Sequence, residues 1–271
     1  MKTEDTMNTQ YDAIVVGSGI SGGYAAMELC KKGYKTLVLE RGRDVEHISD
    51  YETANDDNWD LPYNGRVPKK EIDAHYPKQN RLSWWVNQDN KPFINKDDEY
   101  PYEELSRFDW IRGHHVGGRS IMWGRHCYRW SDIDFEANKK EGIAVDWPVR
   151  YKDISPWYDK VEEYIGVSGE NLGLPQLPDG NFGPPMELNC VEEHLKKNMA
   201  QNYKDRLLTI GRTAHITYTD KTFEGRSACQ YRNRCMRGCP FGAYFSSNSS
   251  TFLNKFLLNS GSLGFSAIVT S

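Results

Sequence analysis

Apolar positions along this chain come in short, separated groups. Residues 11–16, Tyr-Asp-Ala-Ile-Val-Val, read as a brief buried strand. A glycine-rich turn follows, Gly17-Ser18-Gly19-Ile20-Ser21-Gly22-Gly23. Helical spacing over 20–32 then puts Ala25, Ala26 and Leu29 on one face, and Gly33 supplies the stop. Lys35 to Leu39 is a second strand ending at Glu40. Strand, turn, helix and strand in that order predict a parallel pair. Residues 43–110 lose all periodicity. They are polar and rich in Asp, Asn, Pro and Trp, and they predict an insertion that wraps the surface or lids a site. Periodicity returns at 151–165, with Ile154, Trp157, Tyr158, Val161 and Tyr164 or Ile165 on one face. Residues 188–202 and a stretch near 249–258 also read as helices, and 265–270 as a strand.

Composition narrows the function classes. In 271 residues, 34 Lys+Arg nearly balance 38 Asp+Glu, and no basic run occurs, which argues against a nucleic-acid binder. No stretch approaches 18 apolar residues, so no membrane span is expected. Eight Trp and 16 Tyr argue against disorder. Residues 1–10 contain no apolar core of a signal peptide. The expected location is therefore the cytoplasm, unless the protein is exported with a partner.

Gly17-x-Gly19-x-x-Gly22 follows a strand and opens a helix, the context in which this spacing binds a dinucleotide. The glycines let a pyrophosphate approach the backbone N–H groups at the helix start, around Ile20 and Ser21. Glu40 lies 18 residues after Gly22 at the end of the second strand, where a carboxylate accepts hydrogen bonds from the adenosine ribose. A second glycine block, Gly117-Gly118-Arg119-Ser120-x-x-Trp123-Gly124, has paired glycines that allow backbone to approach a flat ring and a Ser120 hydroxyl that can donate to it. The third motif is Cys229-x5-Cys235-x3-Cys239-Pro240. Three thiolates within eleven residues suit the three irons of a [3Fe-4S] cluster. Zinc, with His215 or Cys190 as a fourth ligand, and plain structural thiols are the rival readings. His114 and His115 lie in the glycine-punctuated stretch 111–124 that contains this second block, and neither is assigned a catalytic role.

Taken together, the Gly17–Gly22 turn, the Val38-Leu39-Glu40-Arg41-Gly42 segment and the Gly117–Gly124 block resemble the FAD-binding half of the glucose–methanol–choline oxidoreductases. Asp146-Trp147-Pro148 and Tyr151–Tyr158 resemble the junction into that family's substrate domain. The cysteine segment resembles that of its bacterial iron–sulfur sugar dehydrogenases, the gluconate, fructose, glucose and glucoside enzymes. The resemblance implies an α/β fold, a Rossmann-type FAD domain interleaved with part of an α+β substrate domain. It divides the chain into the start of the FAD domain (1–42), the polar insertion or lid (43–110) and a flavin-contacting segment (111–150). A partial substrate domain with the cysteine cluster (151–260) and a strand returning to the FAD domain (261–271) complete it.

FAD would be held by Gly17, Gly19, Ile20, Ser21, Gly22, Glu40, Arg41, Gly117, Gly118, Ser120, Trp123 and Val269, and a cluster by Cys229, Cys235 and Cys239. Pyranose oxidases of the superfamily bond FAD to a His in Gly-Gly-x-Ser-x-His-Trp. Met122 stands at that position here, so the implied flavin is non-covalent. Members are roughly twice as long as this chain, beyond what one core accommodates. Their catalytic base lies near the C-terminus, so the chain reads as an N-terminal fragment with no catalytic residue assigned. The implied activity is oxidation of CH–OH groups of a sugar or glycoside. Electrons would pass from flavin through the cluster to cytochrome c or a quinone, with a small export-signal-bearing subunit as partner and a periplasmic site. The alternatives are another flavoenzyme, such as a monooxygenase, and an inactive nucleotide-binding fragment.

Overall fold

The computed structural model describes residues 10–82, 85–219, 223–252 and 266–270. Strands β1 (Ala13–Val16), β2 (Thr36–Glu40) and β3 (Ser266–Thr270) form a parallel sheet in the order β1-β2-β3. Helix α1 (Ile20–Lys31) crosses from β1 to β2 and stops at Gly33, whose φ of +85° suits only glycine. The strand–turn–helix–strand unit is thus formed as the pattern predicts, with two differences of face. The buried stripe of α1 is Gly23, Ala26 and Cys30, and Ala25 is exposed. Gly23 is drawn in because its helix face lies against Thr251 and Phe252, where a Cβ would come within 2.5 Å of Thr251 Oγ1. β1 is not a buried strand: Ile14 is 62% and Val16 82% exposed, because β1 is the edge of the sheet and one of its faces is uncovered among the described residues.

Chain packing separates two units. The first comprises residues 1–123, 232–242 and 246–271, and the second 124–231 and 243–245. In the first, the insertion 43–110 does more than wrap a surface. It carries α2 (Lys69–His75), which the sequence pattern did not reveal, and a core of its own. Val45, Tyr51, Ile72, Tyr76, Val86, Phe93 and Ile94 pack there with Ile111, Ile121 and Met122. The segment 232–237 is bolted to this insertion by three arginines. Arg237, 1% exposed, donates from Nε to Asp89 (2.7 Å), from Nη1 to the Asp56 carbonyl (2.6 Å), and from Nη2 to Asn58. Arg234 reaches the Asn55 carbonyl (2.7 Å) and Asp57, and Arg232 the Asn55 side chain (2.9 Å).

The second unit contains α3 (Asp132–Glu141), α4 (Tyr151–Ile165) and α5 (Cys190–Asn202). α3 was not anticipated, although its signals are in the sequence. Ser131 and Asp134 form a capping box, and Gly142 at φ +67° ends the helix. α4 lies where its periodicity placed it, but the buried positions are Glu162 and Ile165, with Trp157 62% exposed. Glu162 is inside because Arg129, 4% exposed, donates to it from Nε at 3.0 Å. Residues 249–252 form turns, and the rest of the helix expected near 249–258 lies outside the described residues.

Candidate functional site

The site starts where β1 ends. Gly17 turns the chain at φ +94°, and its N–H donates to the Leu39 carbonyl at 2.7 Å, tying the turn to β2. A Cβ on Gly22 would lie 1.9 Å from the Gly17 carbonyl oxygen, so the turn closes only with glycine there. At Gly17 and Gly19 a Cβ would meet nothing within 4 Å: the space above these two residues is open. Gly19 is the N-cap of α1, and no side chain caps the helix. The first-turn amides at Ile20 and Ser21 therefore present the positive end of the helix to that space.

Glu40, at the end of β2, turns its carboxylate toward this glycine turn. Oε2 accepts from Ser18 N–H (3.0 Å) and Ser18 Oγ–H (2.5 Å), and Oε1 from Gly42 N–H (3.0 Å). Partial burial pushes the carboxyl up, but the donors from Ser18, Gly42 and Arg41 together outweigh it and hold the carboxyl below its ordinary range. Arg41 is exposed, with its guanidinium 5.9 Å from the Tyr100 ring centre. Gly42 has no room for a Cβ, which would fall 2.1 Å from the His114 carbonyl group. That close approach lets Arg43 pair with His115, and Val116 N–H donate to the Arg43 carbonyl at 2.9 Å. Through this pairing the second glycine block is brought to the first. Val269 pairs with Leu39, and Thr270 with Glu40, so the backbone at the end of β3 runs alongside the end of β2.

Gly117 and Gly118 have φ of +85° and +52°. Gly117 N–H donates to Ser18 Oγ at 3.1 Å, and a Cβ on Gly118 would lie 3.3 Å from the Gly19 α-carbon. Two motifs about 100 residues apart thus meet backbone to backbone. Ser120 makes its contacts within the loop and with the segment behind it. It is 1% exposed, its hydroxyl donates to the Gly117 carbonyl at 2.6 Å, and it accepts from Ser247 N–H at 2.9 Å. Its proton is therefore used inside the loop and holds the loop's shape. Trp123 is half-buried. Met122 is buried in the core of the insertion. His115 is buried, its ring bonded to the Val116 carbonyl, and burial lowers its pKa.

Two residues that the sequence did not single out belong to this arrangement. Ser18 occupies an unrestricted position of the glycine motif, so nothing in the pattern marks it. Asn248 lies in a run of serines; its Nδ2 donates to the carbonyls of Val45 (2.8 Å) and Val116 (2.9 Å).

Cys229, Cys235 and Cys239 are each partly buried and reduced. Among the described residues no group of three or more His, Cys, Asp or Glu side chains is arranged to hold a metal ion, and no disulfide forms. Cys229 N–H donates to the Ile216 carbonyl inside the second unit.

Comparison with known proteins follows the same lines. A family model described as an NAD(P)-binding Rossmann-like domain matches residues 15–67. The fructose dehydrogenase large subunit of Gluconobacter japonicus is 26% identical over 252 residues, covering 86% of this chain and 41% of the relative. The 2-methyl-1,2-propanediol dehydrogenase of Mycolicibacterium austroafricanum is 26% identical over 205 residues, 74% of this chain and 32% of the relative. The gluconate 2-dehydrogenase flavoprotein of Pantoea cypripedii is 26% identical over 193 residues, 64% and 29%. The chain is a homologue of glucose–methanol–choline dehydrogenases and oxidases. It spans about two fifths or less of the length of these relatives.

Proposed function

We propose that this chain forms the FAD-binding part of an oxidoreductase that acts on CH–OH groups of a sugar or related alcohol. The observation that carries the reading is the meeting of the two glycine motifs at Ser18, with Glu40 turned to the same point. A Rossmann turn alone serves NAD(P) as well as FAD. A second glycine loop laid against the first supports a ligand with two flat ends, and the flavoprotein among the relatives supports FAD. The residues fit the group: open space lies over Gly17 and Gly19, an uncapped helix start there would receive the pyrophosphate, and the Glu40 carboxylate at the end of β2 would receive the ribose. When bound, FAD supplies the hydride acceptor for the substrate carbon. The chain's residues would bind and orient it: the α1 amides would hold the pyrophosphate, Glu40 the ribose, and the Gly117–Gly118 loop the flavin end. Met122, buried in the core and without a ring nitrogen, supports non-covalent attachment.

The same proposal gives the protein a sugar or glycoside substrate, a smaller partner subunit that carries it to the periplasm, and a cytochrome or quinone acceptor. The relative named as a large subunit favours a multi-subunit assembly. Among the described residues no helix is long and apolar enough to cross a membrane. An iron–sulfur centre at Cys229, Cys235 and Cys239 is supported by thiolate chemistry and spacing. Iron and acid-labile sulfide analysis of anaerobically purified protein decides that point. For the activity, FAD-loaded protein is offered fructose, gluconate, glucosides and polyols with a dye acceptor. With no catalytic base assigned among its residues, the chain by itself is expected to leave the dye unreduced, and turnover of one of these substrates is expected of an enzyme in which this part is joined to the residues that supply the base. Dye reduction by NADH or NADPH instead would favour a nicotinamide-dependent flavoenzyme.

A further inference from the structure

Three segments far apart in the chain converge on one hydroxyl. Ser18 is fully buried. Its Oγ accepts from Gly117 N–H at 3.1 Å and donates to Glu40 Oε2 at 2.5 Å, and its own N–H donates to the same oxygen at 3.0 Å. An ionised carboxylate only accepts and a backbone N–H only donates, so the sense of the relay is fixed: Gly117 N–H to Ser18 O–H to Glu40. Gly117 is braced from its other side as well. Its carbonyl accepts from Ser120 Oγ–H, and Asn248 is anchored by two carbonyls just behind it. Asn248 Oδ1 is buried without a hydrogen-bond partner and fills the place where a Gly117 Cβ would stand, 1.7 Å away. The loop is therefore rigid against Ser120 and Asn248, and Ser18 links it to the carboxylate.

We propose that Ser18 is a positioning residue that sets the separation between the carboxylate taking the adenosine ribose and the glycine loop taking the flavin. This rests on the FAD reading above. Replacing Ser18 with alanine keeps the volume but leaves a buried N–H at Gly117 without an acceptor and removes one donor from Glu40. The loop then shifts relative to the ribose site. A ligand that spans both ends suffers most. ADP, which reaches only the ribose and pyrophosphate contacts, suffers little.

The test measures FAD affinity by flavin fluorescence, and ADP affinity by competition, on the full chain and its Ser18→Ala, Glu40→Gln and doubly substituted forms. Ser18→Ala is expected to weaken FAD about tenfold or more but ADP less than about threefold, in keeping with loss of a charge-assisted relay. The loss is expected to shrink in the Glu40→Gln background, and the visible band of the bound flavin to shift. Equal losses for FAD and ADP, or additive losses in the double variant, would overturn the proposal by reducing Ser18 to a structural residue. Unchanged FAD affinity in Ser18→Ala would overturn it as well. Thermal melts of the ligand-free variants check folding. Ser18→Cys, a donor of similar size, serves if the alanine form does not fold, and is expected to fall between wild type and Glu40→Gln. A wild-type chain that binds neither FAD nor ADP would overturn the FAD reading itself, and this inference with it.

Discussion

At Gly22 a Cβ would collide with the turn itself, whereas at Gly19 it would project into empty space. The two substitutions should therefore separate folding from binding. Gly22→Ala is expected to destabilise the ligand-free protein by about 1–3 kcal/mol or more, the range for overpacking. Gly19→Ala, at a φ of −65° that alanine adopts freely, should cost at most about 1 kcal/mol as an N-cap change. It should nevertheless lower FAD affinity more than tenfold, because its methyl group occupies the pyrophosphate's approach. Melting curves and flavin titration of both variants check this, and a Gly19→Ala protein that binds FAD as well as wild type would contradict it. At this scale the glycines and Glu40 were legible because their chemistry depends on fixed spacing. Ser18 and Asn248 were not, since their roles come from neighbours 22 to over 200 residues away. Ser120 was legible as a loop residue but not as one whose proton is already committed to Gly117.

Among the elements, β1, α1 and β2 were readable because each is defined by local periodicity and stop signals. The insertion was not. Val45, Tyr51, Ile72, Val86 and Phe93 fall singly along an irregular chain and become a core only when it folds back on itself. The face of α4 misled for a related reason: the partner that draws Glu162 inside, Arg129, lies 33 residues away. The arginine clamp on the insertion is an element-scale device with a measurable weight. Arg237→Met leaves Asp89 and two backbone carbonyls without their donor. Breaking a buried pair costs about 3–5 kcal/mol, and Asp89's partial exposure reduces this to about 2–4 kcal/mol. Arg237→Lys should recover little, because one ammonium cannot reproduce a guanidinium's fork of donors. Denaturant midpoints of the two variants test the claim, and a wild-type midpoint for either would refute it.

For the molecule as a whole, acid is the informative perturbation. Burial, aided by Arg125, Arg226 and His126, pushes His215 down to about 4. The unfolded chain protonates this ring near 6.5, and the folded chain does so only near 4. Between those values the unfolded state binds more protons. The stability contributed by the neutral ring is thus complete above pH 6.5 and is lost as pH falls through 4, at most about 3 kcal/mol. His215→Gln should flatten that part of the profile, as urea midpoints at pH 7 and 4.5 would show. An equal loss in variant and wild type would count against it. Glu40 acts in the same direction at lower pH: its carboxyl lies below the ordinary range, so its contribution is present above about 4.5 and declines as pH falls through its folded value. The central claim is that the Gly17–Gly22 turn, Glu40 and the Gly117–Gly118 loop together hold one FAD without a covalent bond. The most direct measurement is the visible spectrum of the protein purified with added FAD, followed by acid precipitation. A flavin spectrum at one FAD per chain, with all the yellow released into the supernatant, is the expected result. A protein that stays colourless after FAD addition, or a pellet that keeps the yellow, would contradict the account.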